Sequence, residues 1–482
     1  MGVLSELQPK KVFEYFEEIC GIPHGSGNVE QISNYLVKFA KDRNLEVIQD
    51  ELKNVIIIKD ATAGYENEPA VIIQGHMDMV AVHTPELSID MTKEPLKVGI
   101  DGDNIYAAGT SLGGDDGIAV AYALALLDSD ALLHPRLEVV ITVDEEVGMD
   151  GARGIDLSML KGNRLLNLDS EEEGIFWVSC AGGGRIASIL EYEASEMTGQ
   201  VYQLTICGLA GGHSGAEIHK ERGNSNILCG RLLWKLASKV CFGLVSAKGG
   251  VADNAICRET VLKLVLNKED VDTFAKVVKA FEEEVKVELA TKDSGFYVRA
   301  ETLGEESHKC ASGENLKKVC ALLNSLPNGV QAMSADIEGL VETSLNLGIL
   351  EITPEKFIAE FAVRSSVESA KYALVDKVKA VTALAGGHTE ETGDYPGWAY
   401  RLDSPLRDKM AALYEEMYGT KPEIAAIHAG LECGLLAGKI EDLDCVSFGP
   451  NMKNIHTTEE TLSISSTRRV WEFLVQLLAK RG

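Results

Sequence analysis

Apolar side chains recur every three to four positions near the start of the chain, first Val12, Phe13, Phe16 and Ile19, then Ile32, Tyr35, Leu36 and Phe39. That spacing puts each set on one face of a helix and predicts amphipathic helices over 9–20 and 28–43. Runs dense in Val, Ile and Leu follow at 54–59, 70–75, 137–143 and 164–168, with a strongly apolar helix over 117–127 between the second and third. Unbroken apolar strands alternating with helices imply an α/β layer whose central strands are covered on both faces. Beyond residue 185 the texture changes. A helix over 224–236 is followed by strand and helix pairs at 260–266 with 269–289, and at 357–363 with 370–384. The first style returns near residue 397, with a helix over 405–418, a strand over 444–448 and a closing helix over 463–480. The simplest organisation is a two-domain α/β protein. Residues 1–185 and 398–482 form a discontinuous domain, and 186–397 an inserted α+β domain.

Composition narrows the class. With 74 acidic against 46 basic residues in 482, the net charge is −28. Such a body repels phosphate backbones and anionic lipid, so neither nucleic acid nor a membrane is an expected partner. The ten cysteines include no C-x-x-C pair, and the first residues lack the apolar core of a secretion signal. Free thiols in a cytoplasmic protein are therefore expected. No apolar run approaches the roughly 18 residues that a spanning helix needs.

Candidate chemistry sits just past the predicted strands, where open α/β sheets gather residues that are distant in sequence. The segments are Gly75-His76-Met77-Asp78, Gly114-Asp115-Asp116-Gly117, Asp144-Glu145-Glu146 and Leu168-Asp169, with His456 after the last strand. Each alone has a plain explanation: a histidine can be a satisfied core residue, Glu-Glu a solvated loop, and Asp-Asp a helix N-cap. Together they would repel one another unless a cation intervened. Imidazole and carboxylate donors without thiolate suit divalent zinc or manganese with a position open to water.

In this order the segments resemble the five-part signature of the M20 family of dinuclear zinc peptidases. The stretches Gln74-Gly-His-Met-Asp-Met-Val80, Gly211-Gly-His213-Ser-Gly-Ala-Glu-Ile-His219, Tyr395-Pro-Gly-Trp398 and Ile427-His-Ala-Gly-Leu-Glu-Cys433 are similar to its aminoacyl-histidine dipeptidases, the peptidase D, Xaa-His dipeptidase or carnosinase type. The resemblance implies a zinc-peptidase-like catalytic domain and an inserted lid and dimerisation domain. It further implies two divalent ions, zinc with manganese or cobalt as alternatives, bridged by Asp115. His76 and Asp169 would complete one site, Glu146 and His456 the other. Glu145 would act as general base, and Asp78 would orient the His76 imidazole. A cis peptide after Asp115 is also implied. In the inserted domain, His213 would stabilise an oxyanion, commonly from the other subunit of a homodimer. Arg364 would grip the substrate carboxylate, and Asn254 and Gly430 would contact substrate. His24, His219 and His428 are assigned to structure.

The expected activity is hydrolysis of dipeptides, preferentially Xaa-His including β-alanyl-histidine. A broader dipeptidase or tripeptidase, or an N-acyl amino acid hydrolase, is the alternative. After Val80 the chain reads Ala81-Val82-His83 where many relatives carry a cysteine and charged residues, which bears on side-chain preference. Two remoter readings have their own signals. Gly109-Thr-Ser111-Leu-Gly113 fits the nucleophile elbow of a serine hydrolase, although the carboxylates beside it would oppose an oxyanion. A non-catalytic metal- or peptide-binding protein would keep the ligands and could lose Glu145, which is present.

Overall fold

The computed structural model describes residues 2–481, which form two compact units. The first runs to Ser179 and resumes over Tyr400–Ala426 and from Leu431 onward; the second is Cys180–Ala399 with the short stretch Ile427–Gly430.

The first unit is built on an eight-stranded sheet. At its centre lie the parallel strands Leu137–Thr142, Val71–His76, Arg164–Asn167 and Asp444–Ser447, in that spatial order. Every residue of the first two is buried, the Val, Ile and Leu positions and the polar Gln74, His76, Glu138 and Thr142 alike. Antiparallel strands extend the sheet on both sides. The helices Lys10–Cys20, Gly114–Asp128 and Ile464–Ala479 contribute to its single large core. The middle helix is buried all round, which is why its sequence is apolar without a polar stripe. Its first turn is irregular: Asp115 and Asp116 depart from helical φ/ψ, and the peptide bond between them is cis.

The second unit is α+β, with a nine-stranded sheet whose registered pairs are antiparallel. The helices Ser225–Ala237, Val271–Glu288, Gly313–Ser325 and Glu368–Leu384 pack into a second, separate core. The strand Thr260–Leu266 is where its β-branched run predicts it. The longest strand, Tyr297–Cys310, is almost wholly exposed and rich in charge, so no apolar alternation announces it. All ten cysteines are unpaired, nine of them buried. Among the described residues no helix is long and apolar enough to cross a membrane.

Candidate functional site

The four parallel strands of the first unit end side by side, and the residues beyond their carboxyl ends converge. Asp115 lies between two imidazoles, with Oδ1 3.2 Å from His76 Nε2 and Oδ2 3.1 Å from His456 Nε2. Asp169 stands 3.6 Å from His76 Nε2, and Glu146 2.9 Å from His456 Nε2. Potential donor atoms of His76 with Glu145 and Glu146, and of Asp115 with Glu146 and His456, fall within 4.8 Å of one another. So do those of His76 with Asp116 and Asp169.

Local backbone features deliver these groups. Asp144 and His456 adopt left-handed conformations, turning the chain sharply at both positions. Gly113, at φ +68°, leads into Asp115, and a Cβ there would stand 2.8 Å from Met79 Sδ. At Gly75 a Cβ would collide with the Asp116 carboxylate at 2.5 Å, so only glycine lets this strand and helix approach.

The tautomer of His76 follows from its partners. Nδ1 faces the backbone carbonyl of Asp78 at 3.0 Å and the Asp78 carboxylate at 3.5 Å, both pure acceptors, so Nδ1 carries a proton. Nε2 is thereby left facing Asp115 and Asp169, the orientation a metal-binding imidazole needs. The Asp78 carboxylate accepts the backbone N–H groups of Glu145 at 3.1 Å and Glu146 at 3.4 Å, and the Ser26 hydroxyl at 2.8 Å. It thus also fixes the loop that carries the expected base.

The electrostatics show what this arrangement lacks. Burial alone would discharge His76, yet Asp169 and Asp115 hold it well above the ordinary imidazole range. Hydrogen bonds to Asp115 and Glu146 raise His456 to about 10. Burial, reinforced by Asp169, Glu432 and Glu146, pushes Glu145 up to about 9. Imidazoles forced to keep protons and a carboxylic acid forced to keep its own are the signs of crowded negative charge. The donor set, nitrogen and oxygen at short mutual distances, fits divalent cations, which would relieve that crowding.

The second unit gathers its own cluster. A Cβ on Gly215 would stand 3.0 Å from the His213 ring and 3.3 Å from the Arg364 guanidinium, so the two side chains flank that glycine. Arg364 donates from Nη1 to the Tyr395 hydroxyl at 3.3 Å, and its buried Nε has no hydrogen-bond partner. Gly430 lies against the same tyrosine ring, where a Cβ would come within 2.9 Å. The Asn254 carbonyl accepts the N–H of Ser214 at 2.8 Å, tying it to the His213 loop. His213 Nδ1 accepts the N–H of Ala216 at 3.1 Å, so its neutral ring carries the proton on Nε2 as a donor. Burial and then Arg364 lower its pKa, favouring that neutral form.

Residues 72–480 match peptidase family M20/M25/M40. The chain belongs to that family. Over 480 residues, 99% of either chain, it is 38% identical to the cytosol non-specific dipeptidase of Escherichia coli (strain K12). Its structure superposes on that of the aminoacylhistidine dipeptidase from Vibrio alginolyticus with a TM-score of 0.95 at 38% identity, covering 100% of this chain and 98% of that one. The aminopeptidase PepT from Bacillus cereus shares the fold at a TM-score of 0.56 and 16% identity, covering 98% of each.

In this M20 chain Ser111 is not an elbow nucleophile. It is fully buried, its hydroxyl donates to the Val80 carbonyl at 2.6 Å and accepts the Val82 N–H at 3.2 Å, and no imidazole is among its partners. Two residues that support the candidate metal-binding cluster escaped the sequence reading. Ser26 lies between Gly25 and Gly27, far in sequence from the acidic segments of the cluster, and its hydroxyl reaches Asp78. Glu460 is buried, and its carboxylate accepts the N–H groups of Leu112, Gly113 and Gly114 at 2.8, 3.1 and 2.8 Å. It clamps the loop that presents Asp115. Its position four residues after His456 is the one signal that could have found it.

Proposed function

We propose that this protein is a cytosolic metal-dependent dipeptidase of the Xaa-His type, acting on short peptides that include β-alanyl-histidine. The observation that carries the reading is Asp115, held between His76 and Asp169 on one side and His456 and Glu146 on the other. That arrangement is what a carboxylate bridging two cations requires. The relatives from E. coli and V. alginolyticus, each similar over nearly the whole chain, support dipeptides as the substrate class.

His76 and Asp169 would hold one divalent ion, Glu146 and His456 the other, and Asp115 both; zinc is the preferred assignment. Bound there, such ions supply Lewis acidity toward a peptide carbonyl and a water. The chain's own groups do the rest. Glu145 takes a proton from the attacking water on its carboxylate and passes it to the departing amine. Asp78 keeps the Glu145 loop and the His76 ring in place. The Nε2–H of His213 donates to the oxyanion of the tetrahedral intermediate. Arg364 pairs its fork with the substrate's terminal carboxylate, beside Asn254 and Gly430. A homodimer formed through the second unit would allow His213 to serve the neighbouring subunit.

The relatives carry two descriptions, one non-specific and one aminoacyl-histidine, so the decisive experiment is a kinetic panel. Xaa-His dipeptides, Xaa-Leu dipeptides, a tripeptide and an N-acetyl amino acid are compared in zinc and in manganese. The highest kcat/KM is expected for Xaa-His, and equal values across the dipeptides would replace this reading by the broader one. Glu145→Ala is expected to retain metal by elemental analysis while kcat falls by about 10²–10⁴. Wild-type turnover in that variant would refute the role of Glu145.

A further inference from the structure

Beneath the converging strand ends lies a buried chain of polar side chains that the mechanism above does not use. Gln74 and Asn167 are opposite one another on adjacent parallel strands, each two residues before a proposed ligand, His76 and Asp169. Thr142, opposite His76 on the other neighbouring strand, leads into the Glu145–Glu146 loop. Asn167 Nδ2 donates to Gln74 Oε1 at 2.6 Å, and Gln74 Nε2 donates to Glu432 Oε2 at 2.6 Å. The Thr142 hydroxyl donates to the same Glu432 oxygen at 2.7 Å. None of the four is more than 1% exposed.

The Gln74 amide turns its NH₂ to Glu432 and its oxygen to the Asn167 NH₂. Side-chain amides that could otherwise flip are thus locked across the sheet. A carboxyl group buried this deeply is costly unless its hydrogen bonds are made, and the bonds from Gln74 and Thr142 make them on Oε2. Its other oxygen, Oε1, has no hydrogen-bond partner. The residue also opens the helix Glu432–Ala437, directly after the stretch that carries Gly430.

We infer that Glu432 is a positioning residue of the metal centre: through Gln74 and Thr142 it ties together the ends of the three strands that present His76, Asp169 and the Glu145–Glu146 loop. The inference rests on the metallopeptidase reading above. Outer partners that orient ligand-bearing groups in this way typically contribute 10–100-fold in metal affinity or activity, without touching substrate.

The test uses the full-length protein and reads zinc affinity directly, by competition with a chromophoric chelator, alongside kcat, KM and Tm. Glu432→Ala is expected to weaken zinc binding by about 10–100-fold and to lower kcat, with KM changed by less than about threefold. Glu432→Gln keeps an acceptor oxygen for both Gln74 and Thr142 and is expected to recover most of the affinity. If Glu432→Ala binds zinc as the wild type does, the inference is overturned. It is equally overturned if both variants lose the same Tm while zinc affinity stays at the wild-type value, since the residue would then serve the fold alone. Should Glu432→Ala not fold, Thr142→Val removes one of the two donors. That variant is expected to weaken zinc binding several-fold, and unchanged affinity there also overturns the inference. A wild-type protein that binds no zinc would instead overturn the metallopeptidase reading and this inference with it.

Discussion

The two clusters are built in opposite ways. In the first unit the groups that matter are anions and imidazoles at the rigid ends of buried strands, and nearly all of them are displaced from their ordinary pKa. In the second they are loop and strand-end residues, a neutral histidine and an arginine with a free buried donor. One cluster has too much negative charge and calls for cations. The other has unspent hydrogen-bond donors and calls for an anionic, oxygen-bearing ligand. The division of labour follows from where each is placed: strand ends hold atoms to the tolerance coordination demands, and loops adapt to the varied ends of peptides.

That contrast can be broken from either side. The largest effect is expected from Asp115→Asn, which keeps the shape of the side chain and removes the charge shared by both proposed ion sites. Bound metal by elemental analysis should fall to trace levels and hydrolysis should be lost with it. A variant that kept its full metal content would show that Asp115 bridges nothing. The second unit should respond differently. Arg364→Ala is expected to leave metal content untouched and to lower kcat/KM by about 10–150-fold, the equivalent of one charge-assisted hydrogen bond worth roughly 1.5–3 kcal/mol. The loss should shrink for a substrate whose terminal carboxylate is amidated, because that substrate has no carboxylate to lose. An equal loss for both substrates would place the role of Arg364 elsewhere.

Legibility in the sequence divides along the same line. Strands 71–76 and 137–142 of the first unit are dense in Val, Ile and Leu, so they and the acidic residues after them could be read directly. The irregular entry to the helix Gly114–Asp128, with its cis peptide after Asp115, was implied by the family resemblance alone, since the apolar run beginning at Gly117 says nothing of the turn before it. The buttresses were hidden for another reason. Glu460 bonds backbone N–H groups about 345 residues away, and backbone leaves no mark in a sequence pattern. In the second unit, the edge strand Tyr297–Cys310 is charged and exposed, which removes the alternation that announces a half-buried strand. His428, assigned to structure, lies buried with Nε2 2.7 Å from the Ser344 hydroxyl.

That histidine gives the smallest and sharpest test of the contrast, because it titrates in the opposite sense to the imidazoles of the first unit. Burial, then the Arg364 charge, lower its pKa from 6.5 to about 3, so the folded protein refuses a proton that the unfolded chain accepts. Between those values the unfolded state binds more protons, and stability therefore rises with pH. The contribution of His428 is fully present above pH 6.5 and is lost progressively as pH falls toward 3. Replacing it by glutamine, which can still bond the Ser344 hydroxyl and does not titrate, should remove that one proton from the linkage. Acid unfolding followed by circular dichroism should then show a shallower fall in stability below pH 6.5, with the midpoint moved to lower pH. An unchanged slope would mean that the ring is already protonated in the folded protein, and the second unit would then hold a cation pair beside Arg364 rather than a neutral donor set.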